Sequence, residues 1–245
     1  EQQLQARMEE AQKQLDEAQA LSRGAKAQVD SQAPASHKRQ ADMHKDGKKK
    51  FETNYKEGKL DGLSIWWYEN GLKQAEIDHI DGLRNGEAKW WDEKEGYLTC
   101  IEKVQNDLKE GPTTWFYKSG AKKEMSHFKA GKYDGPSTWW HETGQISAEG
   151  NQTDDKREGL WTWWFTNGQK KEETFYSNGK QNGLSKNWYE NGQLKFEGTF
   201  RNGGRDSLIT EWYPDGQKQL ESLPSTTEKI SIQKTSMGSK KRLGA

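Results

Sequence analysis

Four kinds of side chain recur in this chain at spacings that raise a question of chemistry: glutamate, histidine, cysteine and tryptophan. Glutamate stands five residues after a repeating glycine at Glu52, Glu76, Glu149, Glu173, Glu197 and Glu221. Two carboxylates about 5–9.5 Å apart can work as acid and base on a glycosidic bond. On alternate strands of a sheet these glutamates would lie about 10 Å apart, too far to share that task. Lysines stand near each one, so cross-strand ion pairing on an exposed face is the expected role. The five histidines, His37, His44, His79, His127 and His141, show no metal-ligand spacing. Cys100 stands alone, cannot close an intramolecular disulfide and reads as a small apolar residue. The chain offers no catalytic residue, no metal site and no cofactor site, and it does not read as an enzyme.

Tryptophan is the residue in excess, with 12 copies. It comes in doublets: Trp66-Trp67, Trp90-Trp91, Trp139-Trp140 and Trp163-Trp164. Neighbouring residues of a strand point to opposite faces, so each doublet supplies one ring to each face. The second members, Trp67, Trp91, Phe116, Trp140, Trp164, Trp188 and Trp212, are aromatic throughout and are assigned to a structural stack. The first members, Trp66, Trp90, Trp115, Trp139 and Trp163, form a row that ends at Asn187 and Glu211. A row that stops before the repeat stops is a candidate partner-binding face for protein, glycan or lipid headgroups. A second stack beneath the turns is the competing reading.

The elements that must position these rings follow from the glycines. One series runs Gly47, Gly71, Gly96, Gly120, Gly144, Gly168, Gly192 and Gly216; a second runs Gly62, Gly86, Gly111, Gly135, Gly159 and Gly183, with Ser207 in its next place. The steps are 24 residues, with one of 25 in each series. Self-similarity at such a period marks a repeat architecture, and repeated glycines most simply supply positive φ in turns. Aromatic and β-branched runs between Asn-Gly, Asp-Gly and Thr-Gly pairs read as hairpins. The expected fold is all-β: an elongated antiparallel hairpin array of about seven units, on the order of 70 Å long.

The run Tyr55-x-x-Gly58-Lys59-x-x-Gly62-x-x-x-Trp66-Trp67-Tyr68-x-Asn70-Gly71 resembles the MORN repeat (membrane occupation and recognition nexus). More narrowly, it is similar to the bacterial YwqK-like variant that carries an antitoxin label. The match returns at Tyr176–Gly183 and Phe128–Gly135 and extends over residues 46–222. The resemblance implies a hairpin array used for binding, with no catalytic residues to carry over. Ser207, the stretch Val104–Gly111 and Gln152 depart from the pattern, so local irregularity is expected there.

Hydrophobic residues make up 30% of the chain and charged ones 31%, lean for a thick core and suited to a thin sheet. Basic and acidic residues are equal at 38 each, so no global field favours nucleic acid or an acidic membrane. No apolar run is long enough to span a bilayer as a helix, which leaves membrane contact without crossing. In residues 1–30, Leu4, Met8, Ala11, Leu15, Ala18 and Ser22 make a heptad seam. It predicts an N-terminal α-helix that caps the sheet, sits in solvent or docks. Residues 31–45 read as a polar linker and 223–245 as a tail, with Ile230 and Ile232 alternating like a closing strand before the basic Ser239–Leu243. A chain that starts at Glu1 is either processed or trimmed; removal of a signal peptide, with a bacterial cell-envelope location, fits the first. The expected function is a non-enzymatic scaffold that binds a protein through its aromatic face, as an accessory subunit of a larger assembly. A carbohydrate- or cell-wall-binding repeat, or a membrane-associated one, is the alternative.

Overall fold

The computed structural model describes residues 37–223 and 230–231. The expected helix at 1–30 and the basic stretch Ser239–Leu243 lie outside the described residues. These residues form two compact units: 37–96 with 105–107, and 97–104 with the residues from 108 onward. The first holds β1 (His37–Met43), β2 (Lys49–Lys56), β3 (Lys59–Leu60), β4 (Gly62–Trp67), β5 (Lys73–Ile80) and β6 (Leu83–Trp91). The second holds all but the last residue of β7 (Leu98–Gln105), then β8 (Leu108–Phe116), β9 (Lys122–Lys129), β10 (Lys132–Trp140), β11 (Ile146–Thr153) and β12 (Lys156–Trp164). It continues with β13 (Lys170–Ser177), β14 (Lys180–Trp188), β15 (Leu194–Arg201), β16 (Gly204–Arg205), β17 (Ile209–Trp212), β18 (Lys218–Ser222) and β19 (Ile230–Ser231). Among the described residues there is no helix. Within each unit, chain neighbours pair antiparallel, as β4 with β5 and β14 with β15 do. The all-β hairpin array expected from the glycine period is what the chain forms.

Two kinds of turn alternate, each with its own chemistry. In the first, Gly71 N–H donates to Tyr68 C=O at 2.9 Å while Tyr68 N–H donates to Leu72 C=O at 2.9 Å. Gly71 sits at φ 88°, where a Cβ would be strained. Asn70 serves this turn twice: its Oδ1 accepts Leu72 N–H at 2.9 Å, and its amide donates to Glu93 C=O of the next turn at 2.5 Å. Asn167 and Asn191 do the same, each donating 23 residues ahead. Asp215 caps its own turn through Gln217 N–H, but a carboxylate has no proton to pass on. The second kind has two successive residues at positive φ, as in Asn178 (51°) and Gly179 (78°), the signature of a two-residue I′ hairpin. Asn106-Asp107 and Asp154-Asp155 adopt it without glycine. There the carboxylates of Asp107 and Asp155 accept Arg84 N–H at 2.9 Å and Tyr133 N–H at 2.8 Å, which offsets the strained φ. So the departure expected at Val104–Gly111 leaves its turn regular.

Two sequence expectations change on contact with the structure. The second glycine series lies inside strands rather than in turns. Gly86 and Gly135, at φ near 120°, sit at irregularities where the Cβ of Asp78 or of His127 approaches to 3.0 Å of where their own Cβ would be. At Ser207, which replaces the next glycine, the strand divides into β16 and β17, as the degenerate unit led one to expect. The polar linker at 31–45 contains a strand instead: β1 pairs with β2 over His37–Met43. All seven of its residues are exposed, so backbone pairing at a sheet edge, not burial, holds it there. At the other end, β19 pairs with β18 through Glu221 and Ile230, the closing strand that the isoleucines pointed to.

Candidate functional site: an aromatic face over a row of small residues

Two residues after each glycine of the second series comes a buried position. In the first unit it is Ser64 and Ala88, flanking Ile77; in the second it is Thr113, Ser137, Trp161 and Ser185, with Ser126, Thr174 and Gly198 between. Small side chains here let the flanking rings fold down and cover the sheet. The core is therefore a line, not a layer.

Since i and i+2 share a face, Trp66 stands over the same side as Ser64, and Trp115, Trp139 and Trp163 over the side of Thr113, Ser137 and Trp161. The rings meet aromatics from the adjoining strands: Trp66 lies 5.9 Å from His79, Trp115 6.0 Å from Phe128, and Trp163 6.4 Å from Tyr176. Trp66, Trp90, Trp115, Trp139 and Trp163 are all half-buried. Burial holds the His79 imidazole below its ordinary 6.5.

The second doublet members, Trp67 through Trp212, are half-buried too, on the opposite face. Their ring contacts are with ammonium groups: Lys49 Nζ is 5.3 Å from the Trp67 ring, Lys73 Nζ 4.7 Å from Trp91 and Lys122 Nζ 5.9 Å from Trp140. Like strands are two strand spacings apart, about 10 Å, so a lysine from the intervening strand fills the gap that direct stacking could not. Opposite three of the doublets the partner strand carries one extra residue, as where Trp66 faces Ala75 but Trp67 faces Lys73. The doublet's neighbours link the repeats. Tyr68 donates from its hydroxyl to Trp91 C=O at 3.0 Å, Tyr117 to Trp140 C=O at 2.7 Å and Tyr189 to Trp212 C=O at 2.8 Å. His44 and His141 replace tyrosine, donating from Nε2 to the carbonyls of Trp67 and Trp164. Two histidines thus have structural work of a definite kind.

The glutamates pair mainly along their own strand. Lys73 meets Glu76 at 2.5 Å, Lys218 meets Glu221 at 3.4 Å, and Lys170 meets Glu173, all three residues apart; Lys186–Glu197 at 2.9 Å is a cross-strand pair. The bulge between lysine and glutamate brings them to one side. Cys100 is buried, and burial pushes its thiol up to about 12, so it stays protonated and unreactive. Among the described residues, no cluster of three or more His, Cys, Asp or Glu can hold a metal ion.

Sequence reasoning missed the densest part of this face. Trp161 is the one large ring in the small-residue row, only 1% exposed, and its Nε1 donates to Asn151 C=O at 2.9 Å. Gly150 makes room for it: a Cβ there would come within 2.3 Å of the indole. Trp139 lies 5.5 Å away on one side and Trp163 5.7 Å on the other. The Arg157 guanidinium lies 4.7 Å from the Trp161 ring and 5.3 Å from both Trp163 and Tyr176, with Nη1 donating to the Tyr176 hydroxyl at 3.3 Å. The signal was present as a pairing rule: glycine in the row predicts a large residue on the next strand, as Gly150 with Trp161 and Gly198 with Ile209.

Beside this cluster is an open groove of about 370 Å³, lined by Trp139, His141, Ala148, Arg157, Trp163 and Lys171 among others. The arrangement offers rings and cations for binding. No curated protein matches the chain. Three consecutive segments, 133–154, 157–178 and 181–202, match the family model described as the MORN repeat variant.

Proposed function

We propose that this chain is a non-enzymatic interaction module that docks another protein through the aromatic face carrying Trp66, Trp90, Trp115, Trp139 and Trp163. The observation that carries the reading is that these rings are held in place yet remain partly exposed, on the side of the buried small-residue row. An ordered ring with an open edge is what interfaces use as an anchor, because little side-chain freedom is lost when it is covered. Repeats of the matched kind generally serve as protein- or membrane-binding modules, which supports the class. A role as accessory subunit and membership of the YwqK-like variant belong to the same proposal. Equal numbers of basic and acidic residues favour a protein over an anionic bilayer. Among the described residues, no helix is long and apolar enough to cross a membrane.

The test is capture of partners by the full chain and by Trp90→Ala/Trp139→Ala. An interface anchor loses about 2 kcal/mol or more on truncation, so the captured protein should vanish while the circular dichroism spectrum is kept. Undiminished capture by the double variant would overturn the reading, as would binding of the chain to glycans or vesicles in place of protein.

A further inference from the structure

The repeat supplies its own control for what Arg157 does. Arg157 stands two residues before Gly159; in the four preceding repeats that place holds Leu60, Arg84, Lys109 and Tyr133, so two of them carry a cation there. Each of those cations has a carboxylate. Lys109 Nζ meets Glu102 at 2.9 Å, and Arg84 meets Asp107 at 3.2 Å. Glu102 stands six residues after Gly96; the residue six after Gly144 is Gly150. Compared with the repeat that holds Glu102, the Arg157 repeat has a cation and no carboxylate, and Trp161 packs over Gly150 where the acid would stand. Among the described residues Arg157 pairs with no carboxylate, and its contacts are three rings and a hydroxyl.

The groove beside it repeats the bias. His141, Arg157 and Lys171 line it, and no aspartate or glutamate does. Glu172, across the ladder from Trp163, accepts the Thr174 hydroxyl at 2.9 Å and is not part of the lining. A guanidinium over indoles, with Nη1 on the Tyr176 hydroxyl, still has N–H groups for an acceptor, and a carboxylate suits a guanidinium edge with two parallel hydrogen bonds. Rings on either side then suit an apolar or aromatic side chain next to the acid. An acidic sugar is the poorer fit: its several hydroxyls need acceptors as well as donors, and of the lining side chains only Ser147 and His141 can accept.

We infer that the groove at Arg157 is a carboxylate-reading site for an acidic segment of a partner protein, with Asp or Glu on the Arg157 guanidinium and a neighbouring aromatic or aliphatic side chain between Trp139 and Trp163. This rests on the protein-docking reading and narrows it to one cluster and one ligand chemistry.

The experiment probes immobilised short peptides of random sequence with the labelled full chain. Each peptide is present in two versions that differ only in Asp or Glu against Asn or Gln. Retained peptides should place an acid beside an aromatic or aliphatic residue, and the acid version should bind about tenfold or more tightly, as a charge-assisted pair implies. Arg157→Gln should bring the two versions level, and Arg157→Lys, which keeps the charge and loses the fork, should fall between. Equal binding of the two versions by the unaltered chain would overturn the inference. So would acid preference that survives Arg157→Gln, or retention of no peptide. Should Arg157→Gln fail to fold, the acid-against-amide difference of the unaltered chain still decides. Partner capture that survives Arg157→Gln but not Trp90→Ala/Trp139→Ala would leave the docking reading standing and remove this site from it.

Discussion

Leu98–Phe116 and Ile146–Trp164 fill the same places in the repeat and meet the same demand in opposite ways. Both must cover a line of backbone that a thin sheet leaves open. In the first, Glu102 is buried with its side chain 5% exposed, and Lys109 reaches over it while lying 5.0 Å from the rings of Trp115 and Phe128. In the second, Gly150 and Trp161 replace carboxylate and small residue, and Arg157 lies on the indole with no internal anion. A cation over rings serves both; only the first is electrically closed. The same backbone can thus be sealed by an ion pair or left with an unspent charge, and the choice turns on one glycine. This is why the second stretch, and not the first, carries the proposed site.

The comparison can be broken most forcefully at Trp161. Trp161→Ala removes the ring that Trp139, Trp163 and Arg157 all rest on, and should cost about 3–5 kcal/mol in denaturant unfolding. A loss under about 1 kcal/mol, within the range of ordinary surface changes, would mean that the ring is not the core of this stretch.

The cations should then separate the two stretches. Lys109→Ala takes one charged partner from the buried Glu102, whose other contacts remain, so the loss should fall short of the roughly 3–5 kcal/mol of a fully stranded buried charge, at about 2 kcal/mol. Arg157→Gln strands nothing and should cost no more than about 1 kcal/mol, the size of an exposed cation–ring contact. Equal losses at the two sites, measured by the same unfolding midpoints, would erase the distinction drawn here.

The smallest effect concerns His79, in the first unit, at the position filled by Phe128, Tyr176 and Phe200 in the second. Its folded pKa lies below 6.5 because burial disfavours the charged ring. The unfolded chain therefore takes up the proton first as pH falls, so the stabilisation is present above about pH 6.5 and is lost below it. Melting temperatures of the unaltered chain should decline from about pH 7 to 5 more than those of His79→Phe. Parallel curves would show that His79 does not titrate across unfolding.

Much of the fold was legible because its determinants are local. Glycine and asparagine fix turns through φ and through hydrogen bonds a few residues long, and a 24-residue period repeats that local information along the chain. The hairpins and the irregularity at Ser207 followed from it, whereas the strand at Ile230 lies past the last repeat and was read from the alternation of Ile230 with Ile232. Strand β1 did not, since seven exposed residues carry no hydrophobic alternation and only pairing with β2 makes them a strand. The two tryptophan rows were visible as residues, but not what each ring touches. The end of the first row shows why. Trp139 faces Ala148 across its ladder and Trp66 faces Ala75, whereas Asn187 faces Phe196 and Glu211 faces Leu220. The apolar bulk moves to the opposite strand when the tryptophan is lost, and volume has to balance only between partners brought together by the register. By itself the sequence determined the turns, the period and which positions are aromatic. Tertiary structure alone decided which rings share a face and which cation has an anion, because both depend on distances between strands, and the chain sets those only once it is paired.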